Sequence, residues 1–197
     1  MFAHAKLILA LAVMGFGVFF LMNSGAIDRP PGVLAAAEPR QRLVQRPAFQ
    51  FGDYQLTPLA EFDLEARVLS VEKYRTDGGA RLSPIDFALG WGPMSDSAVL
   101  DHFRIRQGGR FFSIYPDEQA IDMNTALLSA ANMHLIPATG ALEGELKRVR
   151  PGNVVRLRGQ LVSALGPNNF TWTSSLTRAD SGNGACELFY VESVERR

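Results

Sequence analysis

Residues 140–162, GALEGELKRVRPGNVVRLRGQLV, contain the change of pattern that decides the fold class. From 140 to 149 the large apolar residues recur every three or four positions, and acidic residues precede basic ones, as an amphipathic helix and its dipole favour. Pro151-Gly152-Asn153 then marks a turn. From 154 to 162 apolar and polar residues alternate, which is the period of a half-buried strand. A short helix, a tight turn and an arginine-rich strand in this order are typical of a mixed α and β domain.

Strand patterns outnumber helix patterns in the rest of 51–197. Apolar and charged residues alternate from Phe62 to Val68, and residues 103–115 read as a hairpin around Gly108-Gly109. Two more strands are expected at 170–175 and 186–192, and short helices at 83–90 and within 95–102. We therefore predict a single α+β, β-rich domain at 51–197. It is either an antiparallel sheet or a small barrel similar to the OB-fold, with short helices.

The N-terminus has the composition of a membrane segment. Leu7 to Met22 is an uncharged run, preceded by Lys6, and the largely apolar stretch 3–26 approaches the roughly 20 residues that cross a bilayer. We predict that 1–26 is a transmembrane anchor that contacts the lipid bilayer through residues 7–22. The alternative is a signal peptide cleaved after Ser24-Gly25-Ala26.

A linker is expected at 27–50, where prolines and alanines dominate and large apolar residues are sparse. Arg29, Arg40 and Arg42 after the span favour a cytoplasmic domain by the positive-inside rule, whereas a basic start before an apolar run favours export. We expect export, with the chain in a bacterial inner membrane as a single-pass protein and the domain in the periplasm.

The composition excludes several classes of function. The 197 residues carry 20 basic and 20 acidic side chains, so a nucleic acid is not the expected partner. A single cysteine excludes a disulfide framework and a cysteine-rich zinc site. With three histidines in the chain, we expect no metal site and no cofactor.

Several segments resemble a family of bacterial proteins that have an N-terminal membrane segment. The segments are Leu82–Asp96, Ala131–Ala138, Val155–Gly159, Trp172–Ser175 and Gly184–Leu188. The resemblance covers most of the chain from Tyr54 onward. It implies no activity, so it supplies no catalytic residues.

Candidate catalytic residues are His134, Cys186 and Asp180. An imidazole can act as general base near neutral pH, Cys186 could be its nucleophile and Asp180 its orienting carboxylate. Ser174 or Ser175 could replace the thiol. The alternative interpretation is a structural histidine where a strand ends at Pro137, beside a cysteine that packs as a small apolar residue.

Candidate binding residues are mostly arginines, which number 17 against 3 lysines. Arg104 and Arg106 lie on the predicted hairpin and Arg156 and Arg158 on the later strand, among aromatic residues that could stack on a ligand. Trp91 could face a ligand or fill the core. Three hypotheses follow: an anchored envelope protein that binds a protein partner or supports assembly, an envelope hydrolase or transferase, and a polyanion-binding barrel. We favour the first, because no catalytic constellation is evident.

Overall fold

The computed structural model describes residues 25–177 and 186–197, and these form one β-rich domain. The predicted membrane span at 7–22 and Asp180 lie outside the described residues. Within the described ranges, no helix is long and apolar enough to cross a membrane. The strands are β1 (Arg40–Leu43), β2 (Phe49–Phe51), β3 (Tyr54–Lys73), β4 (Ile85–Gly90), β5 (Phe103–Gly108), β6 (Phe111–Pro116), β7 (Ala130–Pro137), β8 (Val154–Leu165), β9 (Thr171–Thr173) and β10 (Glu187–Arg196). The helices are α1 (Ser97–Leu100), α2 (Met123–Leu128) and α3 (Gly140–Leu146), with 3-10 turns at Gly92–Ser95 and Pro167–Asn169.

Five strands pair in a closed ring. The order is β3, β4, β7, β10, β8 and back to β3, with β7 and β10 parallel and the other pairs antiparallel. Strand β3 can close the ring because it is 20 residues long and has register shifts at Pro58/Ala60 and Val68/Ser70. β1 and β2 pair with the first half of β3, and β9 pairs with the end of β8. The predicted β-rich class with short helices is confirmed.

The barrel interior is apolar and one end is covered by α3. Alternate residues of the five strands, such as Phe62, Phe87, Leu135 and Phe189, are buried inside it. Leu142, Leu146 and Val149 from the α3 region join this core, as the helical spacing predicts. Thr139 caps the helix by accepting a hydrogen bond from Leu142 N at 3.2 Å.

The helix predicted at 83–90 is wrong, because Ile85–Gly90 is strand β4. Its Ser-Pro-Ile-Asp start resembles a helix N-terminus, but Ile85, Phe87 and Leu89 alternate into the core with the period of a strand. β4 pairs with β3 on one side and β7 on the other, so its backbone hydrogen bonds are satisfied by distant segments. Tertiary pairing therefore overrides the local pattern.

The segment 27–50 lies on the barrel rather than away from it. Its first part, up to residue 39, forms neither helix nor strand, as its prolines favour, and Ala35 is buried. Ser95 Oγ accepts hydrogen bonds from Leu34 N and Ala35 N, each at 3.1 Å. The second part contains β1 and β2. These contacts attach the segment to the domain along most of its length.

Candidate functional site

The β5–β6 hairpin turns through Gly109 and Arg110, one residue later than the predicted Gly108-Gly109 turn. Gly108 pairs with Phe111, and both intervening residues are left-handed, with φ of 59° at Gly109 and 72° at Arg110. Such a turn matches the twist of a hairpin, but the left-handed conformation costs about 1–2 kcal/mol for a residue with a side chain. Arg110 therefore needs compensating contacts.

The Arg110 guanidinium connects two carboxylates. Nε and Nη2 donate to Asp77 Oδ2 and Oδ1 at 2.8 and 2.7 Å, a bidentate pair, and Nη1 donates to Asp86 Oδ1 at 2.9 Å. Nη1 also donates to the Ser83 carbonyl at 2.9 Å. Asp86 is fully buried in β4, and the charge and hydrogen bonds of Arg110 compensate for its loss of contact with water.

Aromatic rings enclose the same guanidinium. Its carbon atom lies 3.6 Å from the centre of the Tyr74 ring and 5.4 Å from that of Trp172. The Tyr74 hydroxyl accepts a hydrogen bond from Arg110 N at 3.0 Å. Burial, opposed by this hydrogen bond, raises the pKa of Tyr74 to about 12, so the phenol is neutral.

The Arg110 carbonyl is held as well. Asn132 Nδ2 donates to it at 3.2 Å, and Cys186 Sγ donates to it at 3.8 Å. Asn132 Nδ2 also contacts Cys186 Sγ at 3.8 Å. The backbone and side chain of Arg110 thus attach the hairpin to β4, to β7 and to Cys186, which directly precedes β10. We call the residues that make these contacts the hairpin anchor; they are Tyr74, Asp77, Asp86, Arg110 and Asn132.

His134 lies beside the anchor on β7. Its side chain is 3% exposed, and its Nδ1 lies 2.9 Å from Asp86 Oδ2, although the two atoms do not form a hydrogen bond. The imidazole packs on Trp172, with 4.6 Å between ring centres. His134 and Asp86 therefore form a buried pair covered by an aromatic ring.

The three side chains predicted as nucleophiles for His134, namely Cys186, Ser174 and Ser175, make hydrogen bonds to backbone carbonyls. No hydrogen bond among the described residues joins His134 to Cys186, Ser174 or Ser175. Ser174 Oγ donates to the Ser175 carbonyl at 2.8 Å and accepts from Leu188 N at 3.0 Å. Ser175 Oγ donates to the Thr177 carbonyl at 2.9 Å. Both hydroxyls thus form hydrogen bonds with the backbone. Within residues 25–177 and 186–197, no cluster of His, Cys, Asp or Glu could hold a metal ion.

The outer face of the hairpin is different in character from the anchor. We give this name to the exposed residues Arg104 and Arg106 of β5 and Phe111, Ser113 and Tyr115 of β6. Phe111 and Tyr115 are 45% and 44% exposed, and Arg104 lies over the Tyr115 ring, 5.2 Å from its centre. In the described part of the chain, neither arginine has an ion pair with a carboxylate.

The barrel wall carries the other predicted arginines, and there each has a carboxylate. Arg156 makes two hydrogen bonds to Asp63, the shorter at 2.9 Å, and these hold the pKa of Asp63 below its ordinary value. Arg158 lies 3.5 Å from Asp63 and 3.6 Å from Glu195. A groove of about 400 Å³ lies along this wall, and its Glu61 pairs in turn with Arg42 and Arg46. The groove is therefore largely neutralised by its own residues.

The last of the predicted binding residues lies in the barrel core. Trp91 is 1% exposed in the barrel core, so its ring supplies apolar packing there.

Asp86 and the anchoring role of Arg110 were not predicted from the sequence. The available signal was a charged residue between Ile85 and Phe87, since an acid in an apolar strand needs a buried partner.

Comparison of the chain with protein-family models, with curated proteins and with solved structures finds no match.

Proposed function

We propose that the chain is a single-pass, membrane-anchored protein of the bacterial envelope, whose periplasmic domain binds an acidic segment of a partner protein. The outer face of the hairpin is the contact surface. The uncharged run at 7–22 is the anchor, and the zero formal net charge argues against a nucleic acid as the partner.

We further propose that the barrel is of the OB type, and this accounts for the position of the hairpin. OB-folds are five-stranded Greek-key barrels that bind ligands across their second and third strands. The corresponding strands here are β4 and β7, with α3 after the third strand. Asp86 and His134, on the face formed by β4 and β7, are buried beneath Arg110 and Trp172. A ligand thus has no access to the β4–β7 face. The hairpin, which is inserted in the sequence between β4 and β7, presents the exposed surface instead.

The composition of the outer face supports a protein partner. Arginine and aromatic residues are enriched at protein interfaces and at their energetic hot spots. Arg104 and Arg106 are exposed and form no ion pair with a carboxylate among the described residues, so their charge is available to an acidic partner. The uncompensated charge beside exposed aromatic rings is the observation that carries the proposal.

Photo-cross-linking in intact cells tests the contact surface. A photoreactive phenylalanine derivative replaces Phe111 in the full-length chain, and the matched control carries it at Leu165, which is 51% exposed at the end of β8. We expect a protease-sensitive adduct of defined mass from position 111 and none from position 165.

Two outcomes would overturn this assignment. A nuclease-sensitive adduct would show that the partner is a nucleic acid, and equal adducts from both positions would show no preferred surface.

Anchoring is tested separately with a C-terminal tag. Protease should digest the tag in spheroplasts, and before digestion the tagged band should be full length and lie in the membrane fraction. A band shortened by the first 26 residues would contradict the anchor.

A further inference from the structure

The chain meets the barrel very soon after the predicted membrane span. Ile27 N donates to the Pro151 carbonyl at 2.8 Å, and Arg29 Nε donates to the Gly152 carbonyl at 2.9 Å. Gly152 has φ of 87°, and a Cβ atom there would lie 2.0 Å from the Ile27 carbonyl oxygen. This close approach fixes the entering chain against the turn between α3 and β8.

The short connection determines which end of the domain is nearest to the membrane. Residues 23–26 separate the apolar run from Ile27. At about 3.6 Å per residue, the path from Met22 to Ile27 is at most about 18 Å long. We call the surface around this entry point the α3 end, formed by residues 27–29, 145–153 and 194–197 together with Lys73.

Positively charged groups collect at the α3 end. Lys73 Nζ donates to the Lys147 carbonyl at 2.8 Å, and Arg196 Nη1 donates to the Arg148 carbonyl at 3.1 Å. Arg29 Nη2 donates to the Arg197 carbonyl at 3.1 Å. These contacts satisfy carbonyls after the last turn of α3 and beside it, and within the described residues they use only part of the donors of these cations.

The charge at this end is only partly compensated. Four cations, namely Arg29, Lys73, Arg148 and Arg196, have no ion pair among the described residues, whereas Lys147 pairs with Glu143 and Arg197 with Glu65. The neighbouring carboxylates Asp28 and Glu145 also lack an ion pair there, so positive charge is in excess. Arg148, Val149, Val194, Arg196 and Glu145 line a cavity of about 260 Å³.

We infer that the α3 end binds the anionic headgroups of the membrane that holds the chain's own span. This inference rests on the proposed anchoring. The short connection places the end at the surface, and basic side chains close to a membrane are attracted to anionic lipid. The outer face of the hairpin shares no residue with the α3 end, so the headgroup site and the proposed partner site are formed by different residues.

Paramagnetic relaxation in nanodiscs tests the inference. The full-length, isotope-labelled chain is reconstituted with a gadolinium-labelled headgroup lipid, in phosphatidylcholine alone or with about one third phosphatidylglycerol. We expect stronger relaxation of amides 147–153 than of 103–116, and an increase at 147–153 when phosphatidylglycerol is present. In R148Q/R196Q this increase should fall at least about threefold, whereas R104Q/R106Q should keep it.

Each remaining outcome contradicts a defined claim. A chain that stays in nanodiscs but relaxes equally in both lipids overturns the headgroup site and leaves the anchor intact. Stronger relaxation of the hairpin than of 147–153 overturns the orientation. A chain that does not stay with nanodiscs in either lipid overturns the anchor and the headgroup site together. Unchanged amide spectra of both double variants verify that they fold.

Discussion

The outer face of the hairpin and the wall of the barrel both carry arginines on exposed strands, yet their electrostatic surroundings differ. On the wall, Asp63 accepts from Arg156 and lies beside Arg158. On the hairpin, Arg104 lies over Tyr115, and no described carboxylate pairs with it or with Arg106. The cross-strand neighbours of an arginine, rather than its exposure alone, therefore decide whether its charge is available to a partner.

The hairpin anchor is a third environment for an arginine. Arg110 belongs to the hairpin by sequence, but its side chain is 16% exposed and ends in the anchor against Asp86. The same residue type is thus structural at the tip of the hairpin and available along its face.

The largest expected effect is at the anchor. Arg110→Met leaves Asp86 buried without its cation, and we expect the free energy of unfolding to fall by about 3–5 kcal/mol. Urea unfolding of the full chain in mild detergent, followed by tryptophan fluorescence, measures this change. The matched variant Arg104→Met should change it by less than about 0.5 kcal/mol. A loss below about 1 kcal/mol in Arg110→Met would contradict the role of the anchor.

The anchor should also be sensitive to acid. Hydrogen bonds from Arg110 hold the pKa of Asp77 below its ordinary value of 3.8. A lowered folded pKa means that the stabilisation is present above pH 3.8 and is lost as the pH falls through the folded value. Because 36% of the Asp77 side chain is exposed, we expect no more than about 1 kcal/mol from this pair.

Comparing the wild type with Asp77→Asn isolates this group from the other carboxylates. The variant should be less stable at pH 7, and the two unfolding free energies should converge below pH 3.8. A difference that persists unchanged at pH 2 would show that the substitution removes something other than the charge of Asp77.

The smallest expected effect is on the wall. Arg156→Gln removes one exposed ion pair with Asp63, and we expect a smaller loss of unfolding free energy than for either substitution in the anchor. Raising the salt concentration should reduce the difference from the wild type, since exposed pairs are screened. A loss as large as that of Arg110→Met would remove the distinction between wall and anchor.

Sequence patterns predict the parts of this molecule that depend on local order. The change from α3 through Pro151-Gly152 to β8 and the alternation in the hairpin are both visible, because neighbouring residues produce these periods. The local pattern of β4 predicts a helix instead, because the pairing of this strand with β3 and β7 comes from distant segments. The anchor could not be predicted either, since Arg110 and Asp86 meet only when the hairpin folds back on the barrel. The arginines of the outer face can be predicted from the sequence. The absence of a carboxylate opposite them can be seen only from the register of β5 and β6, which pairs Arg104 with Tyr115 and Arg106 with Ser113.

The most direct test of the proposed binding surface compares two double variants in the photo-cross-linking experiment at position 111. R104Q/R106Q removes the charge of the hairpin face, whereas R156Q/R158Q removes the same charge from the wall. Because arginines at a binding hot spot each contribute more than about 1 kcal/mol, we expect the adduct to fall about tenfold or more in the first variant and less than about twofold in the second. Equal losses in both variants, or a loss confined to the wall variant, would contradict the assignment of the hairpin as the binding surface.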